Sequence, residues 1–256
     1  MPATTGELAW DRWLRRWDEQ QESFNPDRER RFTMMLDVLE AERGRRFSVL
    51  DLGSGPGSLS ARLLRRFPRA RVVAVDYDPV VRRIGEGALA HFGRRLVWAD
   101  AKLGRPGWTE ALPSRRYDAA VSTTALHWLG PAQLTRLYHD LGRILGKGGV
   151  FLNGDWLPWG PGEGDLRKIA ARLPNLRRPV PGRGGGWGAW RKWWDDARKV
   201  PALRAAFEEH DRRSASHPDH GHTTFDQHVG RLKDAGFRTV ATVWQVGEDR
   251  ILFARR

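Results

Sequence analysis

The sequence holds 256 residues, 40% of them hydrophobic, with a formal net charge of +13 and no cysteine. Its length suits one large α/β domain, or one domain with an insertion, and the apolar fraction is ample for a core. The missing cysteines exclude disulfides, thiolate metal sites and a cysteine nucleophile, and no run approaches the roughly 18 apolar residues of a membrane span.

The first residues, MPATTGELAWDRW, lack a charged start followed by an apolar run, so no secretory signal is expected and the cytoplasm is the default location. Residues 1–46 read as helical. Trp10, Trp13, Leu14 and Trp17 recur at helical spacing, a stripe that packs on the main domain, covers a pocket, or does both. Pro26 and Asp27 suit the start of a second helix and Gly44 its end.

From Phe47 the rhythm becomes strand, helix, strand. FSVLDLG is a short buried strand and SLSARLLRRF a helix. ARVVAVD is a strand ending at Asp76, followed by the helix PVVRRIGEGALAHF with Pro79 in its first turn. RRLVWAD is a third strand ending at Asp100, and YDAAVSTTALHW contains a fourth. PAQLTRLYHDLGRILGKGG is a helix and VFLNGDW a fifth strand. This alternation predicts an α/β fold with a parallel sheet covered on both faces. Residues 156–222 break the rhythm with Gly/Pro-rich stretches and helical pieces, and read as an insertion. Residues 223–256 resume it with one helix and two strands joined by GED, a link short enough to require an antiparallel hairpin. Four segments result: a helical lid at 1–46, the core at 47–155, the insertion at 156–222 and the end of the core at 223–256.

In an open parallel sheet, ligands bind beyond the carboxyl ends of the strands. Asp51, Asp76, Asp100 and the segment Ser122–His127 all fall there. The loop DLGSGPGS has no lysine for a phosphate loop, and Ser58 stands where a dinucleotide loop needs its third glycine. Asp51 ahead of the glycines suits a cationic group, and the acids at the ends of the second and third strands suit a ribose and an adenine amine. The best tenant is an adenosine carrying positive charge instead of phosphates.

These residues resemble the class I S-adenosylmethionine-dependent methyltransferases, in particular the branch with the trans-aconitate and malonyl-carrier-protein enzymes, through DLGSGPG, the two later strand-end acids and STTALHWL. The resemblance implies a Rossmann-like, doubly wound seven-stranded sheet with its last strand antiparallel, and S-adenosylmethionine as cofactor with S-adenosylhomocysteine as product. It implies that Asp51, Gly53, Ser54, Gly55 and Gly57 hold the methionine moiety, Asp76 and Tyr77 the ribose, and Asp100, Ala101 and Lys102 the adenine. Thr123 would border the methyl group, and Trp17 and Arg28 would cover the methionine end. Ser122, His127, Trp128, Trp156 and His222 would meet the acceptor. His127, and after it Asp155, are the candidates for a general base, which methyl transfer needs only when the acceptor starts protonated.

The expected acceptor is a small molecule, methylated at O, N or C, and the expected assembly a monomer or homodimer. The alternatives are an RNA or protein methyltransferase using the basic surface, and a non-methylating S-adenosylmethionine-binding protein such as a cyclase. Basic residues scattered through LLRRFPRAR, VVRR and FGRR, without a lysine or arginine block, argue against nucleic acid. In HPDHGH, His217, Asp219, His220 and His222 have local spacing a metal can use, but Pro218 and Gly221 mark a turn, and no metal is expected. Of the 13 tryptophans, those of WGAWRKWW are read first as packing of the insertion and second as acceptor contacts.

Overall fold

A computed structural model describes residues 9–173, 185–214 and 223–256. Seven strands form one sheet: β1 (Ser48–Leu52), β2 (Arg71–Asp76), β3 (Leu96–Asp100), β4 (Tyr117–Thr123), β5 (Leu145–Trp156), β6 (Thr239–Val246) and β7 (Asp249–Arg255). Their order across the sheet is β3-β2-β1-β4-β5-β7-β6. β1 pairs parallel with β2 and β4, while β7 runs antiparallel to both β5 and β6. The hairpin required by GED thus delivers the one reversed strand. β5 begins at Leu145, directly after the preceding helix, earlier than its apolar run suggests.

The helices of the described residues are α1 (Trp10–Glu22), α2 (Arg28–Arg43), α3 (Ser58–Arg66), α4 (Pro79–Ala88), α5 (Pro131–Ile144), α6 (Gly164–Arg172), α7 (Gly185–Arg198), α8 (Arg204–Ser214) and α9 (Phe225–Asp234). Successive strand residues feed opposite faces. Val49, Ala119, Val121, Val150 and Leu152 pack with α2 and α3 through Phe32, Met35, Leu39 and Leu63. Leu50, Ala120 and Phe151 pack with α5 and α9 through Leu137, Tyr138, Leu141 and Leu232. Apolar side chains on both faces explain why the central strands read as continuous apolar runs.

Local chemistry sets the boundaries. Asp78 caps α4 by accepting from the Val80 and Val81 amides, with Pro79 at the first helical position. Gly44 ends α2 at φ +65°, where its amide donates to the Glu40 carbonyl. Thr224 and Gln227 form a capping box for α9. The wholly buried Arg31 ties α2 to β7 through Asp249 at 2.7 Å.

A third, smaller cluster stands apart from the two faces. Val80, Val81 and Ile84 of α4 meet Trp193 and Ala197 of α7 and Phe207 of α8, with Trp13 and Trp17 of α1 packed against them. Helices from the start of the chain and from the 156–222 stretch therefore share one apolar seam on α4.

Candidate active site

The strand order reverses between β1 and β4, so the loops after these strands part and leave a crevice. The loop after β1 carries Gly53, Gly55 and Gly57, all at positive φ. A Cβ on Gly53 would lie 2.4 Å from the Ala125 Cβ, and one on Gly55 would lie 3.5 Å from the Trp17 ring, so both glycines keep backbone open to the crevice. The loop's amides are all satisfied internally. Gly53 and Ser54 donate to the Val75 carbonyl, Gly55 to Asp76 Oδ2 at 2.7 Å, and Gly57 to the Ser54 carbonyl, while Pro56 has no amide hydrogen. A phosphate site needs such amides free to point at the ligand. Residues 53–57 thus offer no free amide to a phosphate.

Two adjoining cavities share Trp17, Gly53, Trp128 and Trp190. The larger, of about 1100 Å³, is lined by Asp76, Tyr77, Ala101 and Lys102 and covered by Trp194, His210 and Arg213. Asp76 accepts the Gly55 and Asp78 amides, leaving lone pairs for ribose hydroxyls, and burial pushes its carboxyl up to about 6. Lys102 and Arg213 flank the Tyr77 ring at 5.0 and 4.6 Å. These features fit an adenosyl group: an acid at the second strand end, a walled adenine side and a glycine cradle without free amides.

The smaller cavity, of about 290 Å³, is lined by the glycine loop through Gly53, Ser54 and Gly55 and by His127. Ser54, Thr123, Trp17 and Arg28 line it, as do Trp128 and Trp156. Arg28 is almost fully buried, its guanidinium 2.9 Å from Asp18, and burial lowers its pKa despite that partner. His127 sits in the short turn Leu126–Trp128 after β4. Its Nδ1 is 2.8 Å from Asp155 Oδ1, and its amide donates to Asp155 Oδ2 at 3.3 Å. Asp155 is fully buried in β5. Burial alone would raise its pKa, but the His127 ring, its hydrogen bond and Arg31 outweigh that and hold the carboxyl below the usual range. With Nδ1 committed to Asp155, Nε2 is the free ring nitrogen beside the cavity. Thr124, next to it, is the sole non-glycine residue at positive φ among the described residues, at +50°. A β-branched residue held there stores backbone strain of about 1–3 kcal/mol.

Four expected site residues have other duties. Asp51 is fully buried beneath the loop and accepts from Ser60 Oγ at 2.6 Å, so it braces the start of α3 instead of meeting a ligand. Gly57 faces the core, since a Cβ there would meet Leu89 and Trp98. Ser122 is buried in the sheet and donates to the Leu52 carbonyl at 2.8 Å. Asp100, expected at the adenine edge, is held by Arg82 at 2.8 Å and by both terminal nitrogens of Arg213 at 2.8 and 2.9 Å. Its neighbours Ala101 and Lys102 line the cavity in its place. His217, Asp219, His220 and His222 lie outside the described residues, among which no cluster suits a metal ion and no helix is long and apolar enough to cross a membrane.

Several site residues carried no sequence signal of their own. Phe24 and Asn25 enter the smaller cavity from the turn between α1 and α2, and Asp78, His210 and Arg213 enter the larger. Trp187 and Trp190 lie in a stretch whose helical spacing is visible, yet the spacing alone does not separate them from Trp193, which is buried in the seam.

A doubly wound sheet with a glycine loop, a strand-end acid and two joined cavities at its switch point defines a Rossmann-like α/β protein. Residues 49–149 match the profile described as a methyltransferase domain. The chain is 31% identical over 176 residues to a malonyl-[acyl-carrier protein] O-methyltransferase of Geobacter sulfurreducens, covering 68% of this chain and 60% of the relative. It is 34% identical over 135 residues to a trans-aconitate 2-methyltransferase of Azoarcus sp., covering 52% and 48%. The chain thus spans about half of one relative and six tenths of the other. In fold it is similar to an O-methyltransferase family protein from Burkholderia thailandensis, with a TM-score of 0.57 at 18% identity over 97% of this chain and 64% of that one. It is also similar to human N-acetylserotonin methyltransferase in complex with S-adenosylmethionine, with a TM-score of 0.52 at 16% identity over 100% and 60%. Residues 49–149 thus resemble a methyltransferase domain in sequence, and the chain resembles methyltransferases in fold.

Proposed function

We propose that this protein is a methyltransferase that uses S-adenosylmethionine to methylate a small molecule, with His127 as general base. The observation that carries the reading is the His127–Asp155 pair, 2.8 Å apart and set beside a cavity that adjoins the glycine cradle. Asp76 and Tyr77 would hold the ribose, Ala101 and Lys102 the adenine side, and Gly53, Ser54, Gly55 and Arg28 the methionine end. When bound, S-adenosylmethionine supplies a methyl group on a sulfonium, whose transfer leaves a neutral thioether.

The chain's own residues supply position and a proton acceptor. Asp155 fixes the proton on Nδ1 of His127, keeps the lone pair on Nε2, and stabilises the imidazolium once it forms. The tryptophans over both cavities exclude water and hold the reactants near attack distance, which accounts for most of the rate in a displacement with a neutral leaving group. The test is calorimetry joined to turnover. S-adenosylhomocysteine should bind, and Asp76→Ala should weaken it by about tenfold or more, the loss of charge-assisted hydrogen bonds. His127→Ala should lower kcat by about 10²–10⁴ with cofactor affinity nearly unchanged. Tight binding of NAD without binding of S-adenosylhomocysteine would sink the reading, and parallel losses of affinity and turnover in His127→Ala would make that residue a binding group.

A further inference from the structure

The smaller cavity has a chemical character of its own. Its walls are aromatic: Phe24, Trp128, Trp156, Trp187 and Trp190 line it together with Trp17. The rings are braced against one another, with Phe24 and Trp187 edge-on at 5.2 Å and Trp187 and Trp190 at 5.7 Å. Trp156 is fixed by donation from Nε1 to Asn25 Oδ1 at 3.0 Å. Trp128 stands at the rim, tilted against the His127 ring at 5.2 Å, with 58% of its surface exposed.

The polar groups of the cavity are almost all neutral. The Thr123 hydroxyl and the Trp187 indole nitrogen are buried with no hydrogen-bond partner among the described residues, so both can serve a neutral ligand's oxygen. Among the described lining residues Arg28 is the one arginine or lysine; it pairs with Asp18, which Arg62 shares, and the reading above already commits it to the methionine end of the cofactor. A molecule with two or three carboxylates would lose its hydration here without gaining cations in return. The base points the same way. A carboxylate is already ionised and nucleophilic at neutral pH, so His127 and Asp155 would be idle; a phenol, with a pKa near about 10, needs a base.

Resting on the methyltransferase reading above, we infer that the acceptor is a planar aromatic hydroxyl compound of one or two rings, methylated on oxygen, and not an aliphatic carboxylate. The acceptor's ring stacks among the tryptophans with its hydroxyl oxygen toward His127. Its proton passes to Nε2 of His127, the oxygen–methyl bond forms, and the donor's carbon–sulfur bond breaks with its electron pair left on sulfur. The imidazolium proton is later lost to water.

The test uses the full chain saturated with S-adenosylhomocysteine and titrated by calorimetry with 2-naphthol, trans-aconitate or benzylamine. Saturable binding of 2-naphthol alone is expected. Trp187→Ala and Trp156→Ala should weaken it about tenfold or more, with S-adenosylhomocysteine affinity unchanged as the control for folding. With S-adenosylmethionine, mass spectrometry should show one added methyl on 2-naphthol, and His127→Gln should abolish it while leaving 2-naphthol bound. Binding of trans-aconitate or benzylamine in preference, binding of none of the three, or 2-naphthol binding indifferent to both tryptophan variants would overturn the assignment. Failure of S-adenosylhomocysteine itself to bind would instead remove the methyltransferase reading on which it rests.

Discussion

Asp51 shows how one side chain can be necessary to a loop and still cost stability. Its carboxyl is fully buried, one oxygen accepts from Ser60, and the other has no hydrogen-bond partner among the described residues. Burial pushes its pKa up to about 6 from 3.8. The native state therefore holds this proton to a higher pH than the unfolded chain does. Where the native state binds more protons, stability falls as pH rises. From about pH 4 to about pH 6, Asp51 should remove up to about 3 kcal/mol, and above that its contribution is constant. Asp51→Asn keeps an acceptor for Ser60 and deletes the buried charge. Urea unfolding should find the variant more stable than the wild type at pH 8 and closer to it at pH 5; an unchanged difference at the two values would show that Asp51 stays ionised throughout. Asp76 is also pushed up to about 6 by burial, but it faces the cavity. Its ionised form accepts ribose hydroxyls best, so S-adenosylhomocysteine affinity should decline as pH falls through about 6. Asp76→Asn should flatten that decline, and calorimetry between pH 5 and 8 would detect its persistence.

Among the elements, α7 has the most to hold with the least help. Trp193 is almost fully buried, edge-on to Trp13 at 5.8 Å and to Trp17 at 5.0 Å, with its Nε1 donating to the Trp13 carbonyl at 3.4 Å. Since Trp17 lines both cavities and Trp190 lies on the same helix, removing this ring should loosen the cover as well as the seam. Trp193→Ala should cost about 3–5 kcal/mol and weaken S-adenosylhomocysteine several-fold. A stability loss with full cofactor affinity would separate the seam from the site. The sequence makes the helices and strands legible because their signals are local: the apolar runs of β1 and β4, the spacing of Trp10, Trp13 and Trp17, and Pro79 in the first turn of α4. The loop after β1, Asp76, His127 and Asp155 follow from strand ends alone, but the pairing of His127 with Asp155 does not. The diversion of Asp100 to Arg213, 113 residues away, has no local trace, and neither does the link from His210 to Asp78. The division of labour among the tryptophans of α7 was likewise hidden, because a helical stripe says which residues share a face but not whether that face meets protein or a cavity.

At the scale of the molecule, the sheet and its two flanking layers form one packed body, while α1, α7 and α8 close the carboxyl end through the smaller apolar cluster on α4. α1 contributes Trp17 to the larger cavity, α7 contributes Trp190 and Trp194, and α8 contributes His210 and Arg213; Asp76, Tyr77 and Lys102 come from the core beneath. The polar ties across this divide are partly exposed, with His210 on Asp78 at 2.7 Å and Arg213 on Asp100. Exposed ion pairs hold weakly, about 0–1 kcal/mol each, so in the free protein the three helices should open more readily than the strands. A ligand touching both sides adds its binding free energy to that closure, about 2.7 kcal/mol at a hundredfold excess over Kd. Hydrogen exchange measured with and without saturating S-adenosylhomocysteine should therefore slow by about tenfold or more in α1, α7 and α8, while β1, β4 and β5, already protected to the level of global unfolding, change little. Equal slowing in the central strands and the three helices would mean that the cover and the core open as one unit, and that the cavity is reached through an existing mouth beside the exposed Trp128 instead of by movement of the helices.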